Sequence, residues 1–231
     1  MSKKFDGVAF DLDGTLYPNY RFYIPLIPFI VREPWLLLAL GKARNILRAG
    51  STARTGQAGA EAETFYDIQA QIMGEILHID RQIIKDRTER LIYRGWEPLF
   101  KTIKLYPEVR ETLQSLREGG VKLGLLSDFP PETKLDYLNL HGLWAAVLCS
   151  ERVGALKPDP APFLELVKKL EIPVERLLYV GNSVQYDIIG AKNTGMKAAL
   201  ISAPFRRHRR RNGNADFIFS DYRQLGDYVL G

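Results

Sequence analysis

The fold is decided by the stretch GVAFDLDGTL, residues 7–16. A run of buried-strand length ends at Phe10, and two aspartates follow it, Asp11 and Asp13. Alternation along an extended strand would point these carboxylates to opposite faces, so a turn is needed to bring them together. Gly14 supplies the backbone freedom for that turn. One carboxylate can then act as an ionised nucleophile while the other delivers a proton to a leaving oxygen.

The pattern D-x-D-G is by itself also typical of a calcium-binding loop or of a simple turn. An EF-hand needs further oxygen ligands at fixed later positions and a closing Glu, and residues 16–19 (Leu-Tyr-Pro-Asn) do not provide them. The calcium loop is therefore excluded. A simple turn remains open on this stretch alone.

Further short apolar runs resemble the first one, and most are followed at once by polar residues. They lie at residues 121–126, 145–149, 176–180 and 197–201. Helical patterns occur between them, one after Pro107 and one after Pro162. Strands that alternate with helices predict an α/β fold, a Rossmann-like doubly wound parallel sheet whose ligands lie beyond the carboxyl ends of the strands.

One long block, residues 17–104, does not follow this alternation. Phe65, Ile68, Ile72 and Ile76 recur there at helical spacing. We predict an inserted α-helical cap domain over residues 17–104, with the core domain formed by 1–16 and 105–231. Residues 49–56 have the composition of a linker inside the cap.

The apolar stretch from Phe22 to Leu40 contains three prolines and two charged residues, which interrupt it before a helix could span a membrane. We predict a buried helix there and no membrane partner. The chain of 231 residues has one cysteine, Cys149, and no apolar signal segment at its start. This predicts a reducing, cytoplasmic location.

The net charge of +5 is concentrated in one place, because the cluster from Arg206 to Arg211 holds as many arginines as the whole surplus. Short arginine runs are typical of solvated loops, and no aromatic residues are interleaved with this one. We therefore predict a solvated loop there, and the run does not favour nucleic acid as a partner.

Four motifs in order are similar to those of the haloacid dehalogenase-like (HAD) superfamily of phosphatases. They are Asp11-Leu12-Asp13-Gly14-Thr15, Leu125-Leu126-Ser127-Asp128, Lys157-Pro158, and Gly181-Asn182-Ser183 continuing to Asp187. Each motif is weak alone, but the ordered set is specific, and the resemblance covers nearly the whole chain outside the cap.

The resemblance implies a two-step phosphoryl transfer. Asp11 would attack phosphorus and form an aspartyl-phosphate, and Asp13 would protonate the leaving oxygen and later deprotonate water. Ser127, Asp128 and Lys157 would bind the phosphoryl group. Singly, Ser127 could be a strand-end cap and Lys157 a surface lysine; the ordered set favours the catalytic roles.

The resemblance also implies a Mg²⁺ cofactor, held by Asp11, the backbone carbonyl of Asp13, and Asp187. The family commonly has Gly-Asp at the start of the fourth motif, where this chain has Gly181-Asn182. One negative charge is missing, although Asn182 can offer a carbonyl oxygen to the metal directly or through water. Our hypothesis is weaker metal binding without loss of activity.

The sequence thus predicts a Mg²⁺-dependent phosphohydrolase acting on a small phosphorylated metabolite. A dehalogenase is disfavoured because such enzymes lack the second aspartate of the first motif, Asp13 here. A phosphomutase of the same superfamily is a closer alternative, although mutases usually carry Val where this chain has Thr15. A binding protein whose catalysis has decayed is a further alternative. The aromatic and aliphatic residues of the cap mainly indicate helix packing; an apolar leaving group is an additional hypothesis.

Overall fold

The computed structural model describes residues 3–50, 63–202 and 214–231. Within these residues a single parallel sheet has six strands, in the order β3-β2-β1-β4-β5-β6. They are β1 Gly7–Phe10, β2 Lys122–Ser127, β3 Ala146–Cys149, β4 Leu177–Gly181, β5 Lys197–Ile201 and β6 Phe217–Phe219. The predicted doubly wound α/β fold is confirmed, and so are the first five strands. β6 was not predicted, because it is only three residues long and Ile218 at its centre is exposed.

Helices fill the connections between the strands. They are α1 Tyr20–Arg32, α2 Pro34–Gly50, α3 Phe65–Leu77, α4 Arg81–Thr88, α5 Val109–Glu118, α6 Glu132–Tyr137, α7 Ser150–Val153, α8 Pro160–Leu170, α9 Ile189–Asn193 and α10 Tyr222–Leu230. Helices α5 and α8 confirm the two helical patterns of the core. We call α1–α4 the inserted helices, since they lie between β1 and β2. The exact domain boundaries at residues 17 and 104 stay a prediction.

The sheet buries side chains on both faces, as a parallel sheet between two helical layers requires. Val8 and Phe10 of β1 belong to one hydrophobic cluster with α5 and α10, whereas Ala9 between them belongs to a second cluster with α8. β1 pairs with β2 on one side and with β4 on the other, which places it in the interior of the sheet. The strand order reverses beside β1, so the residues that follow β1, β2 and β4 meet at one edge, where such folds bind ligands.

The inserted helices enclose a third hydrophobic cluster, which includes Leu36, Leu40, Met73 and Ile84. This confirms the predicted helical packing of the block.

The prediction of a buried helix between Phe22 and Leu40 is wrong in two respects. The stretch forms two helices, α1 and α2, whose axes are bent by 113°. Leu26 of α1 is buried, but Ile24 and Val31 are 61% and 74% exposed. Only one side of α1 packs against the rest of the protein. No single described helix is both long and apolar enough to span a membrane; only α1 and α2 taken together pass that test.

Two sequence predictions fall wholly or partly outside the described residues. The predicted linker begins at Ala49 and Gly50, which are the last two residues of α2, and the rest of it lies outside. The arginine cluster from Arg206 to Arg211 also lies outside.

Candidate active site

Asp11 lies directly after β1 and is bound on both carboxylate oxygens. Its backbone N–H continues the sheet by donating to the carbonyl of Val180. Thr15 donates to Oδ2 at 2.7 Å, and the ammonium group of Lys157 donates to Oδ1 at 2.7 Å. The side chain is only 8% exposed. The carboxylate is therefore held in one orientation at the switch point of the sheet.

Lys157 joins the first and fourth motifs. Its Nζ lies 2.7 Å from Asp187 Oδ1 as well as 2.7 Å from Asp11 Oδ1, and it also contacts the hydroxyl of Tyr179 at 3.2 Å. Burial alone would lower the pKa of this lysine, but the charges of Asp11 and Asp187 outweigh it and raise the pKa well above its usual value. The lysine is a fixed positive charge in a buried site.

The environment of Asp11 disfavours its ionised form. Burial is the largest cause, and it raises the pKa of Asp11 to about 7 against the opposing charge of Lys157. The nearby carboxylates of Asp187 and Asp13 raise it further. Carboxylates that are buried close to one another are stabilised by a bound cation, because its positive charge offsets their burial and their repulsion.

Asp13 turns towards the site as the sequence required. Gly14 has φ +89°, and a Cβ there would approach the side chains of Asn182 and Asn19 to 2.3 and 2.5 Å. Both carboxylate oxygens of Asp13 accept from Lys134, at 2.8 and 2.6 Å, and the hydroxyl of Tyr17 donates to one of them. The Asp13 carboxylate is thus oriented by two side chains while remaining 31% exposed.

The second motif ends β2 at Ser127, which is fully buried and accepts a hydrogen bond from the backbone of Phe129. Asp128 has a different environment from the one its predicted phosphate-binding role suggests. Its carboxylate accepts from the backbone N–H of Lys157 at 3.1 Å and from Arg48 at 3.0 Å. Burial would raise its pKa, but the charges of Lys157, Arg44 and Arg48 lower it. The side chain links the core to α2; its role towards phosphate stays a prediction.

The fourth motif places Asp187 beneath the end of β4. Its Oδ2 accepts from the backbone N–H groups of Asn182 and Ser183, at 3.2 and 2.9 Å. A Cβ at Gly181 would come within 2.3 Å of Asp187, so only glycine allows this approach. The amide oxygen of Asn182 faces the hydroxyl of Thr15 at 3.4 Å. Asn182 therefore contacts Asp187 directly through its backbone N–H and is linked to Asp11 through Thr15.

The site suits a hard divalent cation, because the carboxylates of Asp11 and Asp187 supply only oxygen ligands. The two carboxylates lie close together, since both bind the ammonium group of Lys157. Among the described residues, no three His, Cys, Asp or Glu side chains form a cluster that could hold a metal ion. The predicted set contains only two side-chain carboxylates, and its third ligand is the backbone carbonyl of Asp13. The residues fit Mg²⁺ with several waters retained.

A cavity of about 1160 Å³ lies between the core and the inserted helices. Asp13 and Lys134 line it from the core, while Phe22, Leu40 and Met73 line it from α1, α2 and α3. The predicted proton donor therefore faces this cavity.

Sequence reasoning missed three basic residues around the site. Lys134 on α6 binds Asp13. Arg44 on α2 pairs with buried Glu151, and Arg48 on the same helix binds Asp128 and the carbonyl of Lys157. Arg44 and Arg48 are one helical turn apart and therefore lie on the same side of α2. This spacing predicts contacts with the core only when that side of α2 is known to face the core.

Comparison with known proteins gives the class of the protein. The sequence model for a haloacid dehalogenase-like hydrolase matches residues 5–195. The chain is 30% identical to a glyceraldehyde 3-phosphate phosphatase from Methanopyrus kandleri over 96% of both chains. It is 27% identical to a phosphoglycolate phosphatase from Haemophilus influenzae, over 97% of this chain and 98% of that one. The chain belongs to the haloacid dehalogenase-like hydrolases, and the predicted enzyme class, a hydrolase of phosphoric monoesters, is confirmed.

Solved structures show the same fold. A HAD phosphatase from Thermococcus onnurineus superposes with a TM-score of 0.64 at 24% identity, over 97% of each chain. The L-2-haloacid dehalogenase from Xanthobacter autotrophicus superposes with a TM-score of 0.66 at 16% identity, over 98% of this chain and 99% of that one. The fold alone therefore does not separate phosphatases from dehalogenases.

Proposed function

We propose that the protein is a Mg²⁺-dependent phosphomonoesterase that acts on a phosphorylated small molecule through an aspartyl-phosphate on Asp11. The observation that carries the proposal is the pair of aspartates at the end of β1. Asp11 is held in the buried charge cluster with Lys157, whereas Asp13 faces the cavity. A phosphohydrolase of this type needs that division between nucleophile and proton donor.

In the proposed first step, Asp11 attacks phosphorus in line, and the bond to the leaving oxygen breaks. Thr15 and Lys157 each hold one oxygen of the Asp11 carboxylate, so the group is oriented before substrate arrives. Lys157 and the hydroxyl of Ser127 then stabilise the negative charge on the transferring phosphoryl oxygens. Magnesium, when bound, would add positive charge at those oxygens.

Asp13 gives its proton to the leaving oxygen in the first step and takes a proton from water in the second. Lys134 and Tyr17 keep its carboxyl group directed at the cavity. The need for such a proton donor distinguishes ester hydrolysis from displacement of a halide, which leaves without a proton. The names of the two phosphatase relatives support the same choice.

The test is phosphate release from a panel of monoesters, with magnesium and with chelator, for the wild type and Asp11→Asn. We expect metal-dependent turnover that Asp11→Asn abolishes. Folded wild-type protein that releases no phosphate from a broad panel would contradict the proposal and favour a phosphomutase or a binding role.

The proposed location is the cytoplasm, and the proposed cap domain remains residues 17–104.

A further inference from the structure

The cavity is larger than a short polar substrate needs. Ligand pockets commonly have volumes of roughly 300–1,000 Å³, and this one is about 1160 Å³. Because the proposed proton donor, Asp13, lines the cavity, the group that leaves with the ester oxygen must occupy it. A leaving group of two or three carbons would fill only a small part of this space.

The walls of the cavity are mainly apolar and come from all along the inserted segment. Phe22 and Leu26 belong to α1, Leu40 to α2 and Met73 to α3, while Ile92 and Trp96 follow α4. Burial against such walls stabilises an apolar group by removing its surface from water. This lining does not match a sugar or a short hydroxy acid.

Several charged residues at the rim of the cavity pair with one another. Arg94 binds Glu89 at 2.9 Å and lies 3.9 Å from Glu97, and Arg152 binds Glu132. Arg94, Glu89 and Arg152 have side chains that are more than half exposed. These pairs neutralise one another where the cavity meets solvent. The buried cations of the lining, Arg44 and Lys134, are paired with Glu151 and Asp13, and the remaining wall is mainly apolar.

The apolar lining continues onto the outer surface of α1. Tyr23 and Ile30 line the cavity and are 54% and 39% exposed, so they lie at its mouth. Further large side chains extend the same exposed face at helical spacing: Tyr20, Ile24, Ile27 and Val31. An exposed apolar surface of this kind commonly marks a binding site. An apolar chain longer than the cavity can extend over it.

We propose that the substrate is an amphiphilic phosphomonoester, whose phosphate lies at Asp11 and whose extended apolar leaving group fills the cavity between Asp13 and the outer face of α1. This inference rests on the proposed phosphatase function and specifies its substrate class. The hydrolysis step adds water across the phosphate ester, which yields inorganic phosphate and an apolar alcohol.

The first test compares ethyl, hexyl and decyl phosphate as dispersed monomers, with phosphoglycolate as the polar reference. We expect kcat/KM to rise with chain length, by at most roughly fourfold for each fully buried CH₂. Equal values along the series, or phosphoglycolate as the best substrate, would overturn the inference while leaving the phosphatase function intact. Absence of phosphate release from every ester would overturn both.

The second test narrows the cavity at a position with room for a side chain. Gly41 on α2 lines the cavity, and a Cβ built there meets no heavy atom of the described residues within 4 Å. We expect Gly41→Trp to lower kcat/KM for decyl phosphate at least tenfold while ethyl phosphate is unaffected. Gly50→Trp is the matched control, since Gly50 lies on the same helix, a Cβ there also meets none of the described residues within 4 Å, and Gly50 is not among the described residues that line the cavity. Unchanged chain-length selectivity in Gly41→Trp would contradict the proposed position of the tail.

A third arm distinguishes the source of the amphiphile. Decyl phosphate is presented either as a monomer or within phosphatidylcholine vesicles, to the wild type and to Ile24→Glu. Lower turnover of Ile24→Glu on vesicles alone would show that the substrate enters from a lipid surface across α1. Equal turnover of the two proteins on vesicles would identify dispersed amphiphiles as the source. These two outcomes distinguish the source of the substrate. Failure of the wild type to hydrolyse decyl phosphate in either form, while ethyl phosphate is hydrolysed, would contradict the cavity as the tail site.

Discussion

The floor of the site holds buried charges, whereas the cavity above it is lined mainly by carbon. On the floor, Asp11, Asp187 and Lys157 lie within 2.7 Å of their partners and are almost completely buried. In the cavity, side chains such as Met73 and Trp96 offer apolar contact area. The two regions therefore meet different chemical requirements. Phosphoryl transfer needs fixed charges in a dry site, while choice of the leaving group needs a shaped volume.

The largest loss of unfolding free energy is expected when the positive charge of Lys157 is removed from the floor. Lys157→Met leaves Asp11 and Asp187 as buried carboxylates without their shared cation, which should cost roughly 3–5 kcal/mol of unfolding free energy. Denaturant unfolding in the presence of chelator measures it. Lys134→Met is the matched control, because its partner Asp13 is 31% exposed and can be solvated. Equal losses in the two variants would contradict the contrast between floor and cavity.

Asp13 lies where the two regions meet, and its effect should depend on the leaving group. Asp13→Asn should lower kcat/KM, which reports the first step, by roughly 10²–10⁴-fold for alkyl phosphates, because an alkoxide leaves poorly without a proton. The loss should be much smaller for p-nitrophenyl phosphate, whose leaving group is stable as an anion. Steady-state kinetics on both esters measures the ratio. An identical loss on both would mean that Asp13 acts on the phosphoryl group and not on the leaving oxygen.

Asn182 offers a smaller change on the floor. Asn182→Asp would add a carboxylate next to Thr15 and Asp187, and we expect Mg²⁺ to bind about tenfold more tightly. Titration calorimetry of the substrate-free protein measures the affinity, and the chain-length preference should not change. Unaltered magnesium affinity would remove the hypothesis that the missing charge weakens the metal site.

The smallest change in unfolding free energy is expected for a substitution on the surface of the inserted helices. Lys85 and Thr64, in that order, hydrogen-bond Asp67 and lower its pKa to about 2. Because this lies below the ordinary value of 3.8, its stabilising effect is present above about pH 4 and is lost as the pH falls towards 2. Asp67→Asn should cost at most about 1 kcal/mol at pH 7 and less at pH 3. Thermal unfolding at both pH values measures this; a larger loss at pH 3 would contradict the assignment.

Much of the core could be predicted from the sequence because strand ends and motifs coincide. Asp11, Ser127 and Asn182 each lie at the end or just after the end of a buried strand, and parallel strands bring those positions to one edge. The catalytic roles of these residues stay predictions.

The remaining features depend on packing between distant segments. Lys134 reaches Asp13 only because α6 lies against the end of β1, and no spacing in the sequence records that placement. The exposed face of α1 also escaped prediction, because an apolar stretch with prolines indicates burial and does not show which side lacks a partner. Arg48 escaped for a related reason, since the direction of α2 follows from its bend against α1.

Arg48 connects α2 to the loop that carries Lys157. This side chain binds the carbonyl of Lys157 and the carboxylate of Asp128, and it lies 4.3 Å from the ring of Tyr186 beside Asp187. Lifting α2 away from the core would break all of these contacts together with the buried pair of Arg44 and Glu151. The same helix that lines the cavity is therefore tied by its arginines to the strand ends that carry the buried charges, so a change in the position of α2 would be felt at Lys157 and Asp128.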